Sequence, residues 1–249
     1  TDAAAPVSAL ALGQVTSGLR LNLDAATYNG STFPETGCSI TTWTDLSDAS
    51  NDGVLSNFSD CSTSSGWNGT GTTEDPYRLS FDGSNDYVAL PAGLTSGLST
   101  FTIDFWVRTT ESDSSGTFWQ RPALFGMDSA PANSGDFGIN TNGGYLGIWG
   151  GLGASEGGVV STSLINDNQW HHVAAVNDGL TAKLYLDGVD INTSIPVSRG
   201  LDVYAFYFGA SNDVGSANFF GQAEFAQFSF YNTALSLAEV IQNCYAYKD

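Results

Sequence analysis

Carboxylates are the first residues to consider, because paired acids at a fixed spacing carry out hydrolysis. Retaining glycoside hydrolysis needs two carboxyl groups about 5 Å apart, an arrangement that alternate positions of one strand can supply. Asp104 lies in an apolar run without an acidic neighbour, and no glutamate begins a complete Glu-x-Asp-x-x-Glu pattern, since Glu111 with Asp113 is followed by Gly116; the six glutamates are Glu35, Glu74, Glu111, Glu156, Glu224 and Glu239. The sequence therefore predicts no catalytic carboxylate pair.

The two histidines are adjacent, His171 and His172. Neighbouring strand residues point to opposite faces, so the two imidazoles cannot bind one ion together. We interpret His172 as a core residue and His171 as a surface residue. The chain also has no Gly-x-Ser-x-Gly nucleophile turn, no zinc-ligand spacing and no phosphate-binding loop. We predict that the protein is not an enzyme and has no catalytic residues.

A hairpin is predicted over residues 170–189, since apolar and polar residues alternate on both sides of Asn177-Asp178-Gly179. A capping box at Ser236 and Glu239 predicts a short helix from Leu237 to about Asn243. Turn signals recur at short intervals along the rest of the chain, which is typical of a sandwich. Further strands are predicted at 19–23, 77–81, 85–90, 100–109, 121–126, 136–140, 144–149, 157–164, 203–209 and 222–231. The fold class is all-β, a two-sheet antiparallel sandwich with one C-terminal helix.

Four stretches carry a resemblance to a known family. They are WHHVA with KLYLDG in the hairpin, LSFDGSNDYVALP at 79–91, FTIDFWVRT at 101–109 and AEFAQFSFYNTALSLAEV at 223–240. Together they resemble laminin-G-like domains, which belong to the concanavalin A-like jelly rolls with pentraxins and legume lectins. The resemblance implies a jelly roll over 17–249, preceded by an arm or linker at 1–16. It implies little about activity, because these folds serve many functions.

The charge is strongly one-sided, with 26 acidic against 7 basic residues and a net charge of −19. Such a surface repels phosphate backbones and anionic lipids, so we expect neither nucleic-acid binding nor membrane insertion. No stretch approaches the roughly 18–20 apolar residues of a membrane span. The N-terminal stretch begins with Thr1 and lacks the basic region of a signal peptide. We expect a processed product or an excised domain of a larger multidomain surface protein.

The cysteines are odd in number: Cys38, Cys61 and Cys244. Cys38 and Cys61 bracket a polar segment without hydrophobic periodicity, and a cross-link there contributes on the order of 3 kcal/mol. We predict a Cys38–Cys61 disulfide, hence an oxidising compartment, with Cys244 as a free thiol. Pairing of Cys244 with either of the other two, or full reduction, remains an alternative.

Two acidic loops suggest calcium, which prefers carboxylate, carbonyl and amide oxygens. Asp136 ends one loop, and Asn212 with Asp213 lies in the other; both loops stand where pentraxin-like relatives place calcium ligands. The later ligand pair of those relatives is missing, because Phe219-Phe220 stands there. The alternative is that these residues form Asx turns.

Tryptophans in loop-like surroundings are the candidates for stacking on sugars. Trp67, Trp119 and Trp149 meet that description, and Arg121 could add hydrogen bonds beside Trp119. Trp106 and Trp170, by contrast, are in phase with the core. We predict an extracellular or cell-surface, non-catalytic module that recognises carbohydrate, with a glycan or a cell-surface protein as partner. The alternative is a structural or protein–protein domain of a larger fibre or surface adhesin; a glycan-active hydrolase is disfavoured.

Overall fold

The computed structural model describes residues 13–27, 41–58, 63–128, 135–151, 157–197, 200–201 and 204–247. In chain order its strands are β1 Leu19–Asp24, β2 Thr42–Trp43, β3 Gly53–Ser56, β4 Gly66–Asn68, β5 Arg78–Asp82, β6 Tyr87–Ala89, β7 Phe101–Arg108, β8 Ala123–Asp128, β9 Phe137–Asn142, β10 Tyr145–Gly150, β11 Gly157–Leu164, β12 His171–Asn177, β13 Thr181–Leu186, β14 Val189–Pro196, β15 Tyr207–Phe208, β16 Ser211–Asp213, β17 Ser216–Asn218 and β18 Gln222–Tyr231. Two short 3-10 turns, Ala25–Thr27 and Ala92–Leu94, and one α-helix, α1 Leu237–Ala246, complete the described elements.

The strands form two sheets. Sheet A has the order β14-β13-β12-β7-β18-β5-β4, and β1 also pairs with β18. Sheet B has the order β11-β10-β9-β8-β15-β6-β3-β2, with the β16–β17 hairpin attached to β8. Neighbours in the described part run antiparallel except β16 with β8, which are parallel. The predicted all-β sandwich with one C-terminal helix is confirmed.

Strand alternation sorts the side chains of β7 into two layers. Phe101, Ile103 and Phe105 point into the core between the sheets, where each is fully buried. Asp104 and Arg108 therefore point to the outer face of sheet A. The same rule in β12 sends Val173 inward and His172 outward.

The predicted hairpin is present as β12–β13, and its turn uses Gly179 at φ +89°. The Gly179 amide donates to Asn177 Oδ1 at 2.9 Å, which fixes the turn. The chain continues through a second turn at Asp187-Gly188 into β14, a strand that the sequence pattern does not reveal. The prediction for Trp106 and Trp170 was wrong in one respect: both lie on the outer face of sheet A, outside the core clusters.

Helix α1 covers part of that outer face. Its capping box at Ser236 and Glu239 is formed as predicted, and the helix runs three residues beyond Asn243. Val240 packs with Val15 and Tyr231 in a second apolar cluster between the helix and sheet A. Residues 13–16 of the predicted arm are thus packed against the domain. Within the described ranges, no helix has the length and apolarity needed to cross a bilayer.

Candidate functional site

The outer face of sheet A is half covered. Along β7, Thr102 and Asp104 lie beneath the α1 region and are fully buried, while Arg108 at the far end is partly exposed. Thr102 Oγ1 donates to Thr233 O at 2.8 Å, and Asn243 Nδ2 from α1 donates to Asp104 Oδ2 at 3.2 Å. The polar groups near Arg108 are therefore the ones that this face offers to a ligand.

Glu224 joins two arginines on this open half. Arg78 Nε lies 2.9 Å from Glu224 Oε1, and Arg108 Nε lies 2.5 Å from Glu224 Oε2. Arg78 also contacts Asp75, and Ser80 Oγ donates to Glu224 at 3.4 Å. These charges come from β5, β7 and β18, which are distant in sequence but adjacent in sheet A.

Trp170 packs against the guanidinium group of Arg108. The guanidinium carbon lies 5.1 Å from the centre of the indole ring, a cation–π distance. Because only Nε is engaged with Glu224, the two terminal nitrogens of Arg108 have no hydrogen-bond acceptor among the described residues. Glu224 and Trp170 therefore hold the guanidinium group in place, and its terminal N–H groups are available to a ligand.

A shallow cleft of about 170 Å³ lies at this outer edge. Asn168 and Gln222 contribute exposed carboxamides without a hydrogen-bond partner in the described part of the chain. Asn168 adopts φ +62°, and its backbone N–H donates to Thr109 O at 3.3 Å. This bond fixes Asn168 beside the cleft. The lining, called here the Arg108 cleft, consists of Thr63, Ser64, Ser80, Arg108, Thr109, Thr110, Asn168, Gln222, Ala223 and Glu224.

The described lining of the Arg108 cleft offers hydrogen-bonding groups with a single carboxylate. Glu224 is the one carboxylate in the described lining, and two guanidinium groups neutralise it. A retaining or inverting hydrolase needs a second carboxyl group across the scissile bond. Arginine, glutamate and two carboxamides instead present planar donors and acceptors, which suit pairs of hydroxyl groups.

Comparison with known proteins places the fold in a family. A laminin-G-type model of the concanavalin A-like lectin/glucanases superfamily matches residues 82–241. The chain belongs to this superfamily. The basement membrane-specific heparan sulfate proteoglycan core protein of Mus musculus is 30% identical over 119 residues. That match covers 46% of this chain and 3% of the relative, so the chain corresponds to a small part of that protein.

Solved structures share the fold at low identity. Domain 4 of AbnA, a GH43 extracellular arabinanase from Geobacillus stearothermophilus in complex with arabinotriose, has a TM-score of 0.62 at 15% identity, with 92% of this chain and 100% of that chain covered. The binding domain of Paraclostridial Mosquitocidal Protein 1 has a TM-score of 0.61 at 17% identity, with 91% and 52% covered. The binding domain of botulinum neurotoxin DC, in complex with SialylT, scores 0.58 at 16%, with 93% and 52% covered.

A buried ion pair lies under the helix, away from the cleft of this laminin-G-like domain. His172 Nε2 and Asp104 Oδ2 are 3.0 Å apart, and both side chains are fully buried. Burial alone lowers the pKa of His172, but Asp104, and next the adjacent Cys244 side chain, outweigh it and raise that pKa to about 10. His172 is fully buried as predicted, but it lies under α1 on the outer face of sheet A and not in the core between the sheets.

His171 points the other way, as predicted from strand alternation, and is only slightly exposed. Its Nδ1 lies 2.9 Å from Asp187 Oδ2, and its Nε2 lies 3.1 Å from Asp167 Oδ1. The hydrogen bond to Asp187 is the main cause of a raised pKa at His171; burial opposes the rise and Asp167 reinforces it. His171 therefore anchors the loop before β12.

Trp67 and Trp149 do not present rings to solvent. Trp67 is 8% exposed and packs edge-on against Trp43, with ring centres 5.1 Å apart. Trp149 is 2% exposed and lies across Gly138, where an added Cβ would come within 2.3 Å of the indole nitrogen. Gly138, the strand partner of Trp149, therefore makes room for the ring. A sugar has no free indole face to stack on at either position.

Trp119 and Arg121 are partly exposed and precede β8. The ring of Trp119 packs edge-on against Phe118 at 4.7 Å between centres, and Phe118 faces Gly158. Both lie on the sheet B side, so the structure does not bring them to the Arg108 cleft. Their ligand-binding role stays a prediction.

The acidic strand ends meet at one end of sheet B. Asp213 is the strand neighbour of Asp128, and Asp136 immediately precedes β9, whose Phe137 pairs with Met127. Asp136 is fully buried. The two loops expected to supply calcium ligands therefore start from adjacent strands.

Asn212 does not fit a calcium site with them. It shares the inward face with Met127; its Nδ2 donates to Ala205 O at 2.7 Å, and its Oδ1 accepts from the Gly215 amide at 2.8 Å. Asp213 accepts from Asn218 Nδ2 at 3.1 Å. In the described ranges, no group of three His, Cys, Asp or Glu side chains is placed to hold a metal ion. The alternative of turn-forming residues fits Asn212 better.

Of the three cysteines, only Cys244 lies within the described residues. Cys244 is a free thiol on the buried face of α1, 3% exposed, so neither alternative pairing with Cys244 is present. Cys38 and Cys61 lie outside the described residues, and their disulfide stays a prediction.

The residues that build the Arg108 cleft were not predicted from the sequence. Arg108 and Glu224 are 116 positions apart, and the stretches that contain them, 101–109 and 223–240, indicate the fold and not a site. One signal was available: each is a charged residue in phase with the outward positions of an otherwise apolar strand. In a chain with only 7 basic side chains, a basic residue at such a position is expected to pair with an acidic residue at such a position on another strand.

Proposed function

We propose that this domain binds carbohydrate without catalysis, and that the Arg108 cleft is its binding site. The observation that carries the proposal is the convergence of four planar polar groups, from Arg108, Glu224, Asn168 and Gln222, in one solvent-open cleft. Planar side chains with paired donors or acceptors match neighbouring sugar hydroxyls. The sugar-binding solved relative with arabinotriose gives further support.

Titration of a glycan array followed by calorimetry on the best ligand tests the proposal. Arg108→Ala removes the open donors and leaves Glu224 paired with Arg78, so folding should be preserved. We expect about a 10- to 100-fold loss of affinity, since hydrogen bonds to charged groups contribute about 1.5–3 kcal/mol each. Arg108→Lys should lose nearly as much, because lysine lacks the planar fork.

Two further variants sharpen the test. Asn168→Gly removes the carboxamide while keeping a residue that tolerates φ +62°. It should weaken binding without changing the unfolding midpoint. Arg20→Ala is the matched control, because Arg20 is an exposed arginine on β1 and does not line the cleft. Equal affinities of the Arg108 and Arg20 variants would refute the site.

Binding to no glycan at all would refute the function and favour the alternative, a protein-binding module. The place to look would then be the outer face of sheet B. Tyr87 and Tyr207 stack there at 4.7 Å between ring centres, with Phe220 at 6.5 Å from Tyr87, and all three are partly exposed.

We also propose an extracellular or cell-surface setting within a larger protein. Its support is the weak relationship to a basement-membrane proteoglycan and the predicted Cys38–Cys61 bond. Alkylation under denaturing, non-reducing conditions with mass spectrometry should label Cys244 alone. Labelling of all three cysteines in protein isolated from its native source would contradict an oxidising compartment.

A further inference from the structure

The charges at the Arg108 cleft cancel. Arg78 and Arg108 carry two positive charges, and Glu224 and Asp75 carry two negative ones, all joined in one chain of contacts. Arg108 by itself would attract a carboxylate or sulfate to its open edge. Its Nε already holds Glu224, however, so an anion at that edge would lie within a few ångströms of a fixed carboxylate.

The rim of the cleft adds further negative charge. Glu111 Oε2 accepts from the backbone N–H of Gln222 at 3.4 Å, and Asp82 is the strand neighbour of Gln222. In the part of the chain that the structure describes, neither acid forms a salt bridge with a basic side chain. The whole chain carries −19, so the surrounding field also repels anions.

We infer that the ligand of the Arg108 cleft is an uncharged saccharide, with sialylated, uronic-acid and sulfated glycans excluded. This inference rests on the proposed function. Neighbouring hydroxyls of a neutral sugar can accept from Arg108 and donate to Glu224, which uses both groups without adding charge. A negatively charged sugar of the same shape would bind on the order of 10- to 100-fold more weakly, because it faces Glu224 and the rim acids at short range.

An array of matched glycan pairs, identical except for a terminal acidic sugar or a sulfate group, tests this inference. We expect signal on neutral members only, with affinity nearly independent of salt concentration. Preferential binding of acidic members would overturn the inference while leaving carbohydrate binding intact. Absence of binding to every member would refute the proposed function and this inference with it.

A charge variant provides a second test. Glu111→Gln keeps the side-chain oxygen that accepts from the Ser112 and Asp113 amides, so the loop should stay folded. It should raise the affinity for the acidic member of a pair by about 3-fold and leave the neutral member unchanged. Asp48→Asn removes the same charge from an exposed loop that does not line the cleft and should change neither. Equal effects of both variants would overturn the local charge argument.

Discussion

Replacing Asp104 by Asn tests the ion pair beneath α1. The pair is fully buried, with 3.0 Å between His172 Nε2 and Asp104 Oδ2. Removing one partner of a buried pair costs about 3–5 kcal/mol of unfolding free energy. The rise in the His172 pKa to about 10 points in the same direction, since roughly 1.4 kcal/mol per pH unit makes it a contribution on the order of 5 kcal/mol. We therefore expect Asp104→Asn to lose about 3–5 kcal/mol at neutral pH.

The contribution of the ion pair to the free energy of unfolding should change with pH in a defined direction. The folded-state pKa of His172 lies above the unfolded value, so the stabilisation is fully present below about pH 6.5 and is lost as the pH rises through about 10. Wild-type stability should fall with pH across this window. In Asp104→Asn the buried imidazole has no counter-charge, so this decline should disappear. Urea unfolding followed by tryptophan fluorescence, at several pH values between about 6 and 9.5, measures both.

Two control experiments separate the electrostatic contribution of the His172–Asp104 pair from its contribution to packing. His171 also has a raised pKa and titrates nearby, so His171→Gln identifies its share of the slope. The double variant Asp104→Leu with His172→Leu should recover much of the lost stability, because a buried pair can be replaced by apolar groups at little cost. A loss below about 1 kcal/mol in Asp104→Asn, or an unchanged pH slope, would refute the reasoning.

Three further predictions concern sheet B. Thermal unfolding with calcium or with EDTA should give the same midpoint; a calcium-dependent rise that Asp213→Ala abolishes would show a metal site instead. Val214→Asn should raise the unfolding free energy by about 1 kcal/mol, because Val214 (φ +49°) and Gly215 (φ +88°) form a turn that favours Asn-Gly; unchanged urea midpoints would contradict this. Gly138→Ala should lower it by about 1–3 kcal/mol, since the new Cβ meets Trp149, and a neutral effect would argue against that tight packing.

The sequence predicts the strongly alternating elements well. β7, β12 and β13 alternate between side chains that face the core and side chains that face the outer side of sheet A, and the capping box at Ser236 marks the start of α1. β14 and the β16–β17 hairpin were not predicted, because neither has a clear alternation of buried and exposed residues. β14 is an edge strand with mixed polar residues, and β16 is three residues long.

The site was harder to predict than the fold, for a physical reason. The Arg108 cleft depends on which strands become neighbours, and the contact of Glu224 with Arg78 and Arg108 exists only once β18 lies between β5 and β7. The expectation that Trp67 and Trp149 are exposed was wrong for a different reason. Gly147 and Gly150 suggest an exposed loop, yet both lie in β10, and Gly138 on the neighbouring strand β9 leaves the space that the buried indole fills.

The contacts of residues 13–14 with the last turn of α1 make the domain suited to circular permutation. Gln242 Nε2 donates to Gly13 O at 2.7 Å, and Tyr247 Oη donates to Gln14 Oε1 at 3.0 Å. A short peptide could join these ends without stretching the sheets. Glu224 and Tyr231 lie roughly 20 Å apart along β18, so the joined ends would lie well away from the cleft. The domain could therefore be spliced into a loop of an unrelated scaffold with its recognition surface facing outward.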